Sequence, residues 1–146
     1  MADKQVVFVE RSFDQPIERV FQRYTDHEGW TSWAGLGAVR LVREGTPERT
    51  GVGSVRAFQL TPGLREEVTR FEPPRRMEYR VVAGPIPLRD HLGEVMFESE
   101  GQGTRVTWRV SFRPAIPGTG ALLRVGLGLL FRRVLGRLVA SLGRES

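Results

Sequence analysis

The stretch Thr119–Leu142, TGALLRVGLGLLFRRVLGRLVASL, decides the fold. At about 100° per residue, Leu123, Leu127, Leu130, Phe131, Val134, Leu135, Leu138 and Leu142 form one continuous apolar stripe. Arg132, Arg133, Arg137 and Arg144 fall on the opposite side. The pattern predicts a long surface helix that covers something apolar. Its first half departs from this division: in Ala121–Phe131 only Arg124 is charged, and Leu122, Val125 and Leu129 extend the apolar surface beyond the stripe. Three readings of that extension stand open: a second subunit, a membrane surface, or burial beneath the Pro114–Gly120 loop. Gly126 and Gly128 cost about 1 kcal/mol each relative to alanine inside a helix. They imply close approach by a ligand, a sheet residue or another subunit.

Upstream, the chain reads as a sheet in need of that cover. Val6–Phe13 alternates and is rich in β-branched residues, so it predicts a strand. Asp14 is a suitable N-cap, Pro16 suits a first helical turn, and Ile17, Val20, Phe21 and Tyr24 recur at helical spacing up to about Thr25. His27–Gly35, with Trp30 and Trp33, fits a second short helix or turn. Six segments separated by turn chemistry come next: Ala38–Glu44, Gly53–Leu60, Leu64–Phe71, Arg76–Ala83, His91–Ser99 and Thr104–Phe112. Short strands joined by tight turns predict a sequential antiparallel meander.

Alternation assigns faces to most of these strands. Val106, Trp108, Val110 and Phe112 share one side of the last, with Thr107, Arg109 and Ser111 on the other. Val95 and Phe97 point inward against Glu94 and Glu98, and the same parity turns His91 inward. Met77, Tyr79 and Val81 form the inner set of Arg76–Ala83. Leu64–Phe71 is ambiguous, because Glu67, Thr69 and Phe71 share one face while Glu66, Val68 and Arg70 share the other.

Composition narrows the function classes. At 146 residues, 40% hydrophobic and 27% charged, the chain fits a single soluble domain spanning 1–146. The absence of cysteine excludes disulfides, thiolate catalysis and sulfur-based zinc sites. With no signal-peptide pattern in Met1–Glu10, it also points to a cytoplasmic location. The run around Ala121–Phe131 is shorter than the ~20 residues a membrane span needs, so no transmembrane segment is expected. Of the net charge of +5, residues 119–146 account for most, with five arginines and one glutamate. The positive charge is the solvated back of one helix rather than a basic stripe interleaved with aromatics, which argues against nucleic acid.

Strand, two short helices, six strands and one long helix make a two-layer α+β domain. A helix of about 24 residues spans roughly 36 Å, enough to lie across a curved seven-stranded sheet. The gap between such a sheet and its helix is a natural ligand site. The local motifs agree: Asp14-Gln15-Pro16-Ile17-Glu18-Arg19-Val20-Phe21, Asp26 through Trp33, Glu66-Glu67-Val68-Thr69-Arg70-Phe71-Glu72-Pro73-Pro74-Arg75-Arg76 with Tyr79, and Gly103-Thr104-Arg105-Val106-Thr107-Trp108. On these residues the chain resembles the START-like (SRPBCC, birch-pollen-allergen-like) helix-grip superfamily, and within it the polyketide cyclase/dehydrase and lipid-transport group. The resemblance covers essentially the whole chain. It implies a helix-grip fold, a curved antiparallel seven-stranded sheet with two short helices after strand 1, wrapped around the C-terminal helix. It also implies a hydrophobic ligand between sheet and helix, and in a minority of members cyclase, aromatase or hydrolase activity.

The leading functional reading is binding of a lipid, polyketide or isoprenoid-like molecule. Its expected contacts are Trp33, Tyr79, His91, Val95, Phe97, Trp108, Val110, Leu127 and Phe131. The alternative is a cyclase/aromatase/dehydratase on the same cavity, with His91 and Glu66 or Glu67 moving protons. Whichever glutamate turns inward needs a buried partner, for which Arg56 and Arg80 are the candidates. Trp30 and Trp33 are read either as an aromatic lip or as packing for the short helices. A third class is an interaction protein using Leu122, Val125 and Leu129 for dimer or membrane-surface contact. The two histidines, His27 and His91, have no metal-binding spacing, and no nucleophile or dinucleotide motif is present. No metal and no cofactor are expected.

Overall fold

The computed structural model describes residues 3–143. Its elements are β1 (Gln5–Phe13), α1 (Ile17–Thr25), α2 (Trp30–Trp33), β2 (Val39–Arg43), β3 (Val55–Phe58), β4 (Arg65–Glu72), β5 (Arg76–Ala83), β6 (Leu88–Glu100), β7 (Gly103–Pro114) and α3 (Gly120–Gly143). The seven strands form one antiparallel sheet in the order β1-β7-β6-β5-β4-β3-β2. The meander expected from the turn spacing runs from β2 to β7, and β1 closes the far edge beside β7.

Two local differences from the sequence reading have simple causes. Asp14 does not cap α1. Pro16 is the cap, extended at φ −64° and ψ 152°, and its carbonyl accepts from the N–H groups of Arg19 and Val20 at 3.0 and 3.1 Å. The proline ring already sets the entry direction of the helix. The second difference resolves the ambiguous strand. In β4, Val68 opposes Tyr79 and Arg70 opposes Glu78, so Thr69 is an extra residue and the register shifts there. A bulge of this kind flips the parity of the residues beyond it. Glu66 and Val68 therefore face the helix layer, and past the bulge Phe71 does too, its ring 5.4 Å from that of Phe21. Neither single-parity reading was complete.

The core lies between the sheet and the α3 stripe. Phe131, Val134, Leu135, Leu138 and Leu142 are buried, with Leu123 and Leu127 packed partly against them. Val106, Trp108, Val110 and Phe112 of β7, Val95 and Phe97 of β6, and Met77 and Tyr79 of β5 face them as the alternation predicts. The opposite face of the sheet carries an ionic lattice: Arg76 bonds Glu78 at 2.6 Å and Glu94 at 2.7 Å, and Arg109 bonds Glu94 at 2.9 Å. On α3, Leu122 is 75% and Leu129 62% exposed, which rules out burial beneath the Pro114–Gly120 loop. Gly126 borders open space, and a methyl group at Gly128 would meet Val7 only at an ordinary 3.8 Å. No sheet residue therefore approaches Gly126 closely. Arg144 lies outside the described residues. Among the described residues no helix is long and apolar enough to cross a membrane.

This packing separates positions on α3 that composition alone would treat alike. Leu135→Ala is expected to cost about 2–5 kcal/mol, and Leu129→Ala to stay within about 0.5 kcal/mol. Gly126→Ala should stabilise by up to about 1 kcal/mol. Chemical denaturation of the three variants measures all of these, and equal losses at Leu135 and Leu129 would contradict the orientation of the helix.

Candidate functional site

One end of the β5–β6 pair is held open. Backbone pairing between these strands runs from Arg76 opposite Met96 to Tyr79 opposite Gly93 and ends there. Continuing the register would bring Val81 opposite His91. Instead the Val81 N–H donates to His91 Nδ1 at 3.1 Å, so an imidazole takes the place of a backbone carbonyl. β6 is irregular at the same point, with a register shift between Arg89 and Leu92 and Asp90 at φ 52°. A buried N–H must find a partner, and satisfying it with a side chain lets the strands separate without an orphaned donor.

Over this splayed region lies a recess of about 110 Å³. Leu127, Leu130, Phe131 and Val134 of α3 roof it, and Arg56, Phe58, Glu66, Tyr79, Val81, His91 and Trp108 of the sheet form its floor. Trp30, Leu36 and Leu64 add side walls, while the exposed Leu60 and Leu130 stand at its opening. Trp108 stacks on Phe131 with ring centroids 4.2 Å apart, tying floor to roof. Its indole Nε1–H donates to the Tyr79 hydroxyl at 2.9 Å. The Tyr79 ring in turn lies over Gly93, where any Cβ would run into it.

A fully desolvated arginine anchors the floor. Arg56 is 2% exposed, on a strand whose four residues are all buried. Its Nε and Nη2 bond the same oxygen of Glu66, Oε1, at 2.8 and 2.7 Å. Nη1 lies 3.4 Å from His27 Nδ1, and the guanidinium carbon sits 4.5 Å from the Trp30 ring centre and 5.0 Å from that of Tyr79. Burial is the largest single influence and would lower the Arg56 pKa; the Glu66 carboxylate, together with Tyr24 and Tyr79, outweighs it, and the pKa is raised. His27 is fixed on its other side by Thr50, whose carbonyl lies 3.2 Å from Nε2. Burial, followed by the Arg56 charge, holds His27 down to about 3 and His91 down to about 4. Both imidazoles are therefore neutral near pH 7, and the Val81 bond places the His91 proton on Nε2.

The recess gathers some of the sequence-predicted contacts and not others. Tyr79, His91, Trp108, Leu127 and Phe131 line it. Val95, Phe97 and Val110 are buried but lie off it; Phe97 packs on Phe21 and Tyr24 of α1 instead. Trp33 is buried behind Trp30, so the tryptophans form no lip: Trp30 is a side wall, its indole N–H donating to the Tyr24 carbonyl at 2.7 Å. Of the two glutamates Glu66 faces inward, whereas Glu67 pairs outside with Arg43 at 3.1 Å. Arg56 is the partner and Arg80 is exposed. Sequence reasoning missed Gly93, and the signal was present: a glycine at an inward position, between His91 and Val95, makes room for a large neighbour. Among the described residues no group of carboxylates, histidines or cysteines could hold a metal ion.

Two stability measurements test this geometry. Glu66→Ala leaves the Arg56 charge buried without its counter-ion and is expected to cost about 3–5 kcal/mol. An effect below about 1 kcal/mol would place Arg56 in water. The histidines have a pH signature. Their pKa values are depressed in the folded state, so the unfolded chain takes up protons first, near pH 6.5. Their contribution is complete above that pH and is lost as the pH falls towards about 4 for His91 and about 3 for His27. Denaturant titrations between about pH 7.5 and 4.5 should show a loss on the order of a few kcal/mol, and a flat profile would contradict the buried neutral imidazoles.

The fold has clear counterparts. A solution NMR structure from Thermobifida fusca aligns with a TM-score of 0.77 at 20% identity, over 95% of this chain and 93% of that one. CalU16 from Micromonospora echinospora aligns at 0.69 and 18% identity, over 97% and 83%. Ara h 8.0201 aligns at 0.69 and 13% identity, over 94% and 99%. At these identities the likeness establishes the helix-grip fold. No curated protein matches the chain significantly. The family described as polyketide cyclase / dehydrase and lipid transport matches residues 4–143, and the chain is a member of that family within the START-like helix-grip superfamily.

Proposed function

We propose that this protein binds a neutral hydrophobic or aromatic small molecule in the recess between α3 and the sheet. The observation that carries this reading is the way the recess is kept open. The sheet ends its β5–β6 pairing early, an imidazole caps the freed N–H, and the space gained is left to mostly apolar walls. Apolar walls with a few converging polar groups are the usual make-up of a small-molecule site. Arg56 and Glu66 cancel one another and His91 is neutral, so the site offers no net charge to an ionic ligand.

Size sharpens the reading. At ~10–15 Å³ per water-sized group, a recess of about 110 Å³ holds roughly seven to eleven such groups. One ring or two fused rings fit inside, while a lipid chain or a longer polyketide extends past Leu60 and Leu130. Tyr79, His91, Trp108, Leu127 and Phe131 are the contacts, with Trp30 beside them; Trp33, Val95, Phe97 and Val110 support those walls from behind.

Proton-transfer chemistry on the same site is less well supported. For His91 to accept a proton at Nε2 it must first move its own proton to Nδ1, and that breaks the bond from Val81. His91 is better placed to donate a hydrogen bond than to act as a base.

Native mass spectrometry of the purified protein should show a co-purified apolar species that organic extraction releases. Leu127→Trp, which fills the recess from the roof, should abolish the adduct and the uptake of added naphthalene with the fold intact by circular dichroism. Uptake unchanged in Leu127→Trp would move the site elsewhere.

A further inference from the structure

The polar atoms of the recess can be accounted for one at a time. Trp30 Nε1–H is taken by the Tyr24 carbonyl and Trp108 Nε1–H by the Tyr79 hydroxyl. Arg56 spends Nε and Nη2 on Glu66 Oε1 and directs Nη1 at His27. His91 Nδ1 is filled by the Val81 N–H. On the floor an acceptor and a donor are left open, and the Thr61 hydroxyl, which also lines the recess, bonds no described residue. Glu66 Oε2 accepts from no described residue, although its twin oxygen receives both bonds from Arg56. The proton on His91 Nε2 is given to no described residue, although His91 is 9% exposed and lines the recess. The Tyr79 hydroxyl accepts from Trp108 and retains its own proton, and its ring lies 5.5 Å from that of His91 and 5.0 Å from the Arg56 guanidinium carbon.

We infer that the site selects ligands bearing a hydroxyl, phenolic or enolic, that donates to Glu66 Oε2 while its oxygen accepts from His91 Nε2–H or Tyr79. This inference rests on the recess being the binding site, and it names the chemistry at the ligand's polar end. A hydrocarbon without such a group leaves a buried acceptor and a buried donor unpaired. An ether or ketone satisfies the donors and leaves Glu66 Oε2 facing a lone pair. A carboxylate is worse: Arg56 is already engaged by Glu66, so a second anion meets a carboxylate with no cation to offset it. The hydroxyl group, donor and acceptor at one atom, matches both groups. Sites built to hydrogen-bond a ligand hydroxyl reject analogues that lack it far more strongly than an apolar pocket does.

The test compares naphthalene, 2-methoxynaphthalene, 2-naphthol and 2-naphthoate, followed by quenching of Trp30 and Trp108 fluorescence and by calorimetry. On the wild-type protein 2-naphthol is expected to bind roughly ten- to a hundredfold more tightly than naphthalene and 2-methoxynaphthalene, with 2-naphthoate weakest. Equal binding of 2-naphthol and 2-methoxynaphthalene overturns the inference and leaves the recess as an apolar binding site. Binding by none of the four overturns the proposed function itself. Glu66→Gln supplies the second arm. With its amide oxygen held by Arg56, the variant presents N–H where the free acceptor stood. The order of 2-naphthol and 2-methoxynaphthalene is then expected to collapse or reverse. Because both ligands are compared on the same protein, a lower fraction folded does not imitate that change. A wild-type order retained in Glu66→Gln overturns the role of Glu66 Oε2.

Discussion

A guanidinium taken out of water is the constraint around which this molecule is arranged. Arg56 can sit on the floor of the sheet only because its charge and its donors are met from several directions. Glu66 supplies the counter-charge from β4, His27 a nitrogen lone pair from the segment after α1, and Trp30 and Tyr79 their ring faces. Removing any one leaves part of a buried cation unsatisfied, so the short helices, β3, β4 and β5 are fixed relative to one another through a single side chain. An apolar replacement of the pair could be as stable or more so. The ion pair is therefore better understood as fixing geometry and polarity at the recess than as the source of the fold's stability, which comes from the apolar contact between α3 and the sheet.

The second constraint is the unpaired end of β5. A sheet that curves around a helix must either close its strands together beneath it or accommodate the groups freed where they part. His91 accommodates them: its Nδ1 receives the Val81 N–H and its ring packs by Tyr79. The same hydrogen bond that permits the opening fixes the tautomer, with the ring proton on Nε2. Gly93 is the steric counterpart, since Tyr79 reaches Trp108 only by crossing a residue without a side chain.

The fold was legible because its signals are periodic. The α3 stripe, the alternation of Val106 to Phe112 and the turn residues between strands each repeat a pattern several times, and the observed elements lie within a few residues of those patterns. The misses are all singular events. One extra residue at Thr69 puts Glu66 and Phe71 on the same face, which no strict alternation allows. Pro16 caps α1 because a ring fixes one torsion, and Asp14 is left aside. The lining of the recess was legible in part for the same reason. Parity turned Tyr79, His91 and Trp108 inward, yet it turned Val95, Phe97 and Val110 inward as well, and these lie off the recess. An inward residue meets either the recess or α1 and the rest of the core, and that depends on position along the strand, which alternation does not encode. Trp33 failed similarly: its neighbour Trp30 shields it from the cavity.

The division of labour between the two kinds of residue explains why the site resists reading from sequence. Residues that build the fold obey local rules, apolar inside and charged outside. Residues that define the recess depart from them, with an arginine and a glutamate facing inward, a glycine in mid-strand and a histidine in place of a backbone partner. Such departures are tolerated where something outside the chain is expected to complete them. In this molecule Arg56, His27 and Gly93 are completed by the protein itself. Glu66 Oε2 and His91 Nε2 are not, and they stand within the same apolar enclosure beneath Phe131 and Leu127. An acceptor and a donor left open in the same largely apolar recess are the groups that the proposed ligand's hydroxyl would meet.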